Sequence, residues 1–166
     1  MIIPNCVLET VKKMPLDNHY FYHAEDAWER ATDIYNGQIK FYSDDISLLI
    51  NTLERYYKAF LQAKKDEDPS YLQYPGFLTS DHDLNKLVVE IERFVPLTKC
   101  ETRQDYKERR EFFDNLRREY TTTRYTARPD FNEYKQLYQF VSKQRDIVIE
   151  YFQEKNKQIE EPDLDL

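Results

Sequence analysis

The residues best suited to chemistry lie in one stretch, Arg117-Arg118-Glu119-Tyr120-Thr121-Thr122-Thr123-Arg124-Tyr125. Arginine forks bind phosphate through paired hydrogen bonds, and tyrosine rings stack on bases, so guanidiniums and phenols at a helix end have the chemistry of nucleotide or RNA contact. Arg124 supports two readings equally, as a phosphate ligand or as a cap on the carbonyls of the preceding helix. Tyr125 reads first as a ring packed under the following helix. Adjacent residues on a helix point about 100° apart, so one of Arg117 and Arg118 should face a groove and the other solvent or a partner. Two guanidiniums on one concave site repel, so a carboxylate or an anion is expected beside Arg118 and Arg124.

The histidines are three: His19, His23 and His82. His19 and His23 stand one helical turn apart, a spacing that can hold a metal, but no third ligand is evident in the sequence and no metal site is expected. His82 precedes an apolar stripe; a local hydrogen bond and packing on the previous loop are expected there, because a histidine acts as a base only with an orienting partner. Cys6 and Cys100 form no CxxC or Cys/His pattern, which points to free thiols in a reducing compartment. GxSxG, HExxH, the P-loop and the dinucleotide turn are missing, and two glycines, Gly37 and Gly76, cannot supply a phosphate-cradling loop. No cofactor is expected.

Composition narrows the elements that must position these groups. The chain has 166 residues, enough for one core without disulfides or metals. So little glycine disfavours a hairpin-rich fold. The 14 tyrosines suit half-buried positions and interfaces, and with the arginines they motivate a homodimer. The net charge of −7 argues against non-specific nucleic-acid binding by the whole surface, and no DNA-binding motif is present. Residues 99–128, however, carry nine basic side chains against six acidic ones, a local patch able to focus an anionic ligand or, as the plainer reading, a solvated helix face with i,i+4 ion pairs. No run approaches 18 apolar residues and Met1-Ile2-Ile3-Pro4 lacks signal-peptide features, so the expected location is cytoplasmic, away from membranes.

Periodicity predicts five amphipathic helices. Ala24, Ala27, Trp28, Ala31, Ile34 and Tyr35 mark the first, which ends at Asn36-Gly37. Ile46, Leu49, Ile50, Leu53, Tyr57, Phe60 and Leu61 mark the second, capped at Ser43, with a loop over 64–80. A capping box from Ser80 to Asp83 opens the third, with Leu84, Leu87, Val88, Ile91 and Val95 inward and Pro96 as the stop. Thr102 and Asp105 box the fourth, with Tyr106, Phe113, Leu116 and Tyr120 inward. Asp130 and Glu133 open the fifth, which buries Tyr134, Leu137, Tyr138, Val141, Val148 and Phe152. The expected fold is all-α, an antiparallel up-and-down bundle of four to five helices over residues 19–157, with an N-terminal arm at 1–18 and an acidic frayed tail at 158–166.

Three motifs then fall in an order that resembles the HEPN domain family. They are Leu53-Glu54-Arg55-Tyr56-Tyr57-Lys58-Ala59-Phe60-Leu61, then His82-Asp83-Leu84, then Leu116-Arg117-Arg118-Glu119-Tyr120 followed by Arg124-Tyr125. The resemblance covers roughly residues 20–155, with Arg55 where the family often has lysine. It implies a helical bundle that dimerises, commonly encoded beside a small nucleotidyltransferase as toxin and antitoxin. It adds Lys58 and His82 to Arg117, Arg118, Arg124 and Tyr125 as ligand-binding candidates. Active members are metal-independent ribonucleases with an arginine, a polar spacer and a histidine, whereas here no histidine follows Arg118. A variant pattern of arginine and two tyrosines is met by Arg118 and Tyr125 but has Thr123 at the first tyrosine. The reading is therefore a module that binds nucleotide, RNA or a nucleotidyltransferase partner without efficient catalysis. The alternatives are a ribonuclease using Arg118 and Tyr125, and a helical adaptor with a tyrosine-rich binding surface.

Overall fold

The computed structural model describes residues 18–68, 70, 82–118 and 129–160. Most of the expected arm, the end of the acidic tail, Ser80, and the stretch holding Tyr120, Arg124 and Tyr125 lie outside the described residues. Among those described the chain is all helix: α1 (His19–Tyr35), α2 (Asp45–Glu67), α3 (Leu84–Ile91), α4 (Arg103–Arg117) and α5 (Phe131–Glu160). None of these is long and apolar enough to cross a membrane.

The apolar stripes become the core. Trp28, Leu49, Leu53, Leu87, Ile91, Leu116, Leu137 and Val141 are all buried. The second helix lies at the centre and touches α1, α3 and α5. Asn18, at the start of α1, donates from Nδ2 to the Ala59 carbonyl near the far end of α2 (2.8 Å), while its Oδ1 caps the Phe21 amide. This buried cross-link fixes α1 antiparallel to α2. Tyr134 donates to the Ala31 carbonyl, and Arg145 reaches Glu25, so α1 also runs antiparallel to α5. Along that seam Trp28 stacks on Tyr138 (4.4 Å between centroids), and Tyr138 stacks on Tyr35 (4.2 Å). Gly37 ends α1 with φ of +77°, a conformation that costs a residue with a Cβ.

The helix starts differ from expectation in instructive ways. Thr102 and Asp105 form the full capping box on α4. Asp105 accepts from the amides of Glu101 and Thr102, and these bonds hold its carboxyl below the usual carboxylate range. Asp130 accepts from the Glu133 amide at the start of α5. At α3 the cap is Asp83 itself, accepting from Asn85. At α2 neither Ser43 nor Asp44 caps; instead Asp45 turns back to the Tyr42 amide (2.7 Å). The second helix continues to Glu67, into the expected loop, because Lys64 lies over the rings of Phe94 and Tyr151 and so keeps that turn packed. The third helix stops at Ile91, a turn before Pro96, and half-buried Val95 packs from the following turn. Tyr106, expected inward, is exposed and lies against Arg109. The fifth helix runs three residues past 157.

Tyrosine use follows its two-sided chemistry. Of the ten described tyrosines, Tyr56, Tyr57 and Tyr134 are buried and Tyr20, Tyr35, Tyr138 and Tyr151 half-buried. Among the described residues the core thus takes up seven of these ten tyrosines, and Tyr22, Tyr42 and Tyr106 are exposed. The buried phenols are satisfied: Tyr57 donates to Gln144 Oε1 (2.8 Å), whose Nε2 donates to the Leu97 carbonyl.

Candidate anion-binding site around Glu54

A carboxylate on the inner side of a helix needs counter-charges, since a lone buried ion costs several kcal/mol, roughly, even after relaxation. Glu54 of α2 is such a group, only 8% exposed. Three cationic or titratable side chains from three parts of the chain converge on it. Lys58, one turn on along α2, places Nζ 3.5 Å from Oε2. Arg117, in the last turn of α4, donates from Nη2 to Oε1. His82, just ahead of α3, brings Nδ1 to 3.2 and 3.3 Å from the two oxygens. The carboxylate accepts, so the Nδ1 proton donates, and in the neutral ring the lone pair is on Nε2. Tyr20 of α1 closes the near side; burial and then the Glu54 charge push its phenol above its ordinary value, so it stays protonated.

Local sequence explains the convergence. Leu53 and Tyr57 point α2 into the core, so the neighbouring pair Glu54 and Lys58, four apart, shares the edge of that inner face. Phe113 and Leu116 seat α4, which turns Arg117 inward beside Leu116. Asp83 caps α3, and this holds His82 at its mouth.

Two cavities meet at His82. One, about 310 Å³, is lined by His19, Tyr20, His23, Glu54, Arg55, Lys58 and His82. The other, about 570 Å³, is lined by His82, Asp83, Leu84, Phe113, Asp114, Arg117 and Arg118. Four permanent cations therefore face three carboxylates across the joined groove, and all three histidines of the chain are on it. The permanent charges lining the joined groove sum to one net positive charge. No group of three or more His, Cys, Asp or Glu side chains with metal-binding placement occurs among the described residues.

Of the residues singled out from sequence, Lys58, His82 and Arg117 meet on Glu54. Arg118, exposed, lines the neighbouring cavity and donates to Asn115 in the preceding turn. The carboxylate found in this region is Glu54 beside Arg117; Arg124 and Tyr125, the rest of the expected cluster, lie outside the described residues. His82 was expected to bond locally and instead spans 28 positions to Glu54. The basic segment also resolves into separate uses. Arg109 pairs with Glu92 of the turn after α3 (2.7 Å), while Lys107 makes only an exposed i,i+4 contact with Glu111.

A second charged cluster, Glu25–Arg145–Tyr56, joins α1, α5 and α2. Arg145 donates from Nε and Nη2 to the two Glu25 oxygens (2.9 Å each), and Tyr56 donates to Oε1. Burial first, then the Glu25 charge, drive the Tyr56 phenol far up. Every group there is matched inside the protein, so it locks helices together.

Sequence reasoning missed Glu54 as the hub and His19 and His23 as its neighbours. The available signal was a Glu–Lys pair four apart beside an apolar stripe, a place where charge is seldom buried without partners. Compared with known proteins, the chain matches no family model, no curated protein and no solved structure.

Proposed function

We propose that this chain is a HEPN-type helical module that binds a phosphate-bearing ligand, a nucleotide or RNA, in the groove around Glu54. The observation that carries this reading is the convergence of Arg117, Lys58 and His82 on one buried carboxylate. Glu54 holds these donors at the mouth of a groove where Arg117 and Arg118 line one end and Arg55 and Lys58 the other. A phosphate entering the groove would meet the Arg117 guanidinium, which Glu54 already holds in place and which stays partly open to water, so the ordering cost of binding is lowered. In this reading the module is a homodimer in a toxin–antitoxin-like pair with a nucleotidyltransferase-type partner.

The direct test is a fluorescent oligoribonucleotide titrated at 50 and 200 mM salt. Binding is expected to weaken with salt at a log–log slope of about −0.7 per phosphate neutralised on a single strand. An Arg117→Ala/Arg118→Ala variant is expected to bind at least about tenfold more weakly at the lower salt and with a shallower slope. Equal, feeble binding by both proteins would hand the lead to the adaptor reading.

One observation favours a second reading, metal-independent ribonuclease activity. His82 has the orienting partner that base catalysis requires, the Glu54 carboxylate at 3.2 Å. That version places the base at His82, where the sequence alternative was a ribonuclease using Arg118 and Tyr125. Cleavage of the same oligonucleotide in the presence of a chelator, lost on His82→Gln with binding retained, is its signature.

A further inference from the structure

A groove between α3 and α4 adjoins the Arg117 cavity, sharing Asp83 and Asp114 with it, and encloses about 660 Å³, within the range of ligand pockets. One wall is a row on α4. Tyr106, Arg110 and Asp114 stand four apart, so they fall on one face of the helix, and Arg118 continues the row just past its end. From α3, Val89 adds an exposed apolar side chain. The Tyr106 ring is exposed but held in place. The Arg109 guanidinium lies over it, 5.0 Å from its centre, and Arg109 is itself fixed by Glu92 at 2.7 Å. Arg110 is exposed too, and its side chain has no ion pair or hydrogen bond among the described residues. Only its carbonyl is used, accepting from Asn85.

We infer that the α3–α4 groove is a base-binding subsite, in which one unpaired nucleobase stacks on Tyr106, its phosphate meets Arg110, and the ligand continues towards Arg118. This rests on the phosphate-binding reading above and adds where the base goes and that it must be unpaired. The charges of the groove decide for a base over a bare phosphate chain. Asp83, Glu90 and Asp114 offset Lys86, Arg109 and Arg110 one for one, so no net charge draws phosphates in along its length. A neutral ring enters without opposing those carboxylates, and the amino groups on its edge can donate to them. Arg109 over the Tyr106 ring still leaves exposed ring surface, and stacking there accepts any base, because every base has a π-face. The ring is already positioned by Arg109 and Glu92, so stacking costs little further ordering. Side chains four apart on a helix have Cβ atoms about 5–6 Å apart, about the step from a base to its own phosphate, and Arg110 is the uncommitted cation one turn from the ring. A base inside a duplex has both faces covered by its neighbours. The ligand class is therefore a single strand or a free nucleotide, and a duplex is excluded from this subsite.

The test uses the full chain at low salt and two labelled strands of equal length and charge, a single-stranded oligoribonucleotide and the same backbone without bases. Wild type is expected to bind the base-bearing strand about 5- to 100-fold more tightly, the range that one stacking ring contributes. Tyr106→Leu should remove most of that preference and leave the affinity for the abasic strand unchanged, and Tyr106→Phe, which keeps the ring, should retain the preference. Arg110→Gln should weaken both strands by a similar factor, because both carry the phosphate; an effect confined to one strand contradicts the place given to the phosphate. Equal wild-type binding of the two strands, or a Tyr106→Leu variant that keeps the preference or weakens both strands alike, overturns the inference and leaves the phosphate-binding reading in place. Absence of wild-type binding to either strand overturns the reading and the inference together.

Discussion

Glu54→Ala is expected to cost about 3–5 kcal/mol, the loss that follows when one member of a buried charge cluster is removed and its partners are stranded. The Lys58 ammonium is almost fully enclosed, so it is stranded without its counter-charge, while Arg117 is partly open to water and loses less. The informative comparison is Glu54→Leu/Lys58→Met. It removes the anion and the more deeply buried cation together and should lose distinctly less, because a well-packed apolar pair can stand in for a buried ion pair at little cost. Chemical denaturation of the three proteins at pH 7 measures both values. If the single variant is no less stable than the double, Glu54 is not the counter-charge that the geometry makes it.

Leu53→Ala should cost about 2–5 kcal/mol, since Leu53 is fully buried on the central helix and its neighbours can close the hole only in part. The matching control is Leu48→Ala on the same helix. Leu48 is 50% exposed, and its truncation should stay within about 0.5 kcal/mol of wild type. Similar losses at the two positions would mean that α2 does not sit where its stripe puts it.

The fold was legible because its signals are local. A stripe at i, i+3 and i+4 states which face of a helix is apolar, and Thr102-x-x-Asp105 states where a helix begins; both reappear in three dimensions. The site was legible only in part. Lys58, His82 and Arg117 were named for their types and their resemblance, but what unites them is Glu54, and that union spans 63 positions from Glu54 to Arg117. No periodicity encodes a contact between elements that far apart. The same holds for His19 and His23, whose i,i+4 spacing hinted at a metal until α2 set two cations beside them. Tyr106 shows the converse failure. It shares a helical face with Phe113, yet it lines the groove between α3 and α4 in contact with Arg109, since an aromatic ring with a polar tip is as well served by a cation as by a core. The helix ends were misjudged for a related reason: at α2 the packing of Lys64 on two rings outweighed the loop signal of the residues that follow.

The stacked seam between α1 and α5 has an optical consequence. Trp28 is the only tryptophan in the chain, and its ring lies 4.4 Å from that of Tyr138 and 5.7 Å from the Arg145 guanidinium. Excitation at the red edge of the aromatic absorption therefore addresses one ring at one interface. Its emission is a built-in gauge of whether those two helices are docked, and no residue lining the groove around Glu54 is a tryptophan.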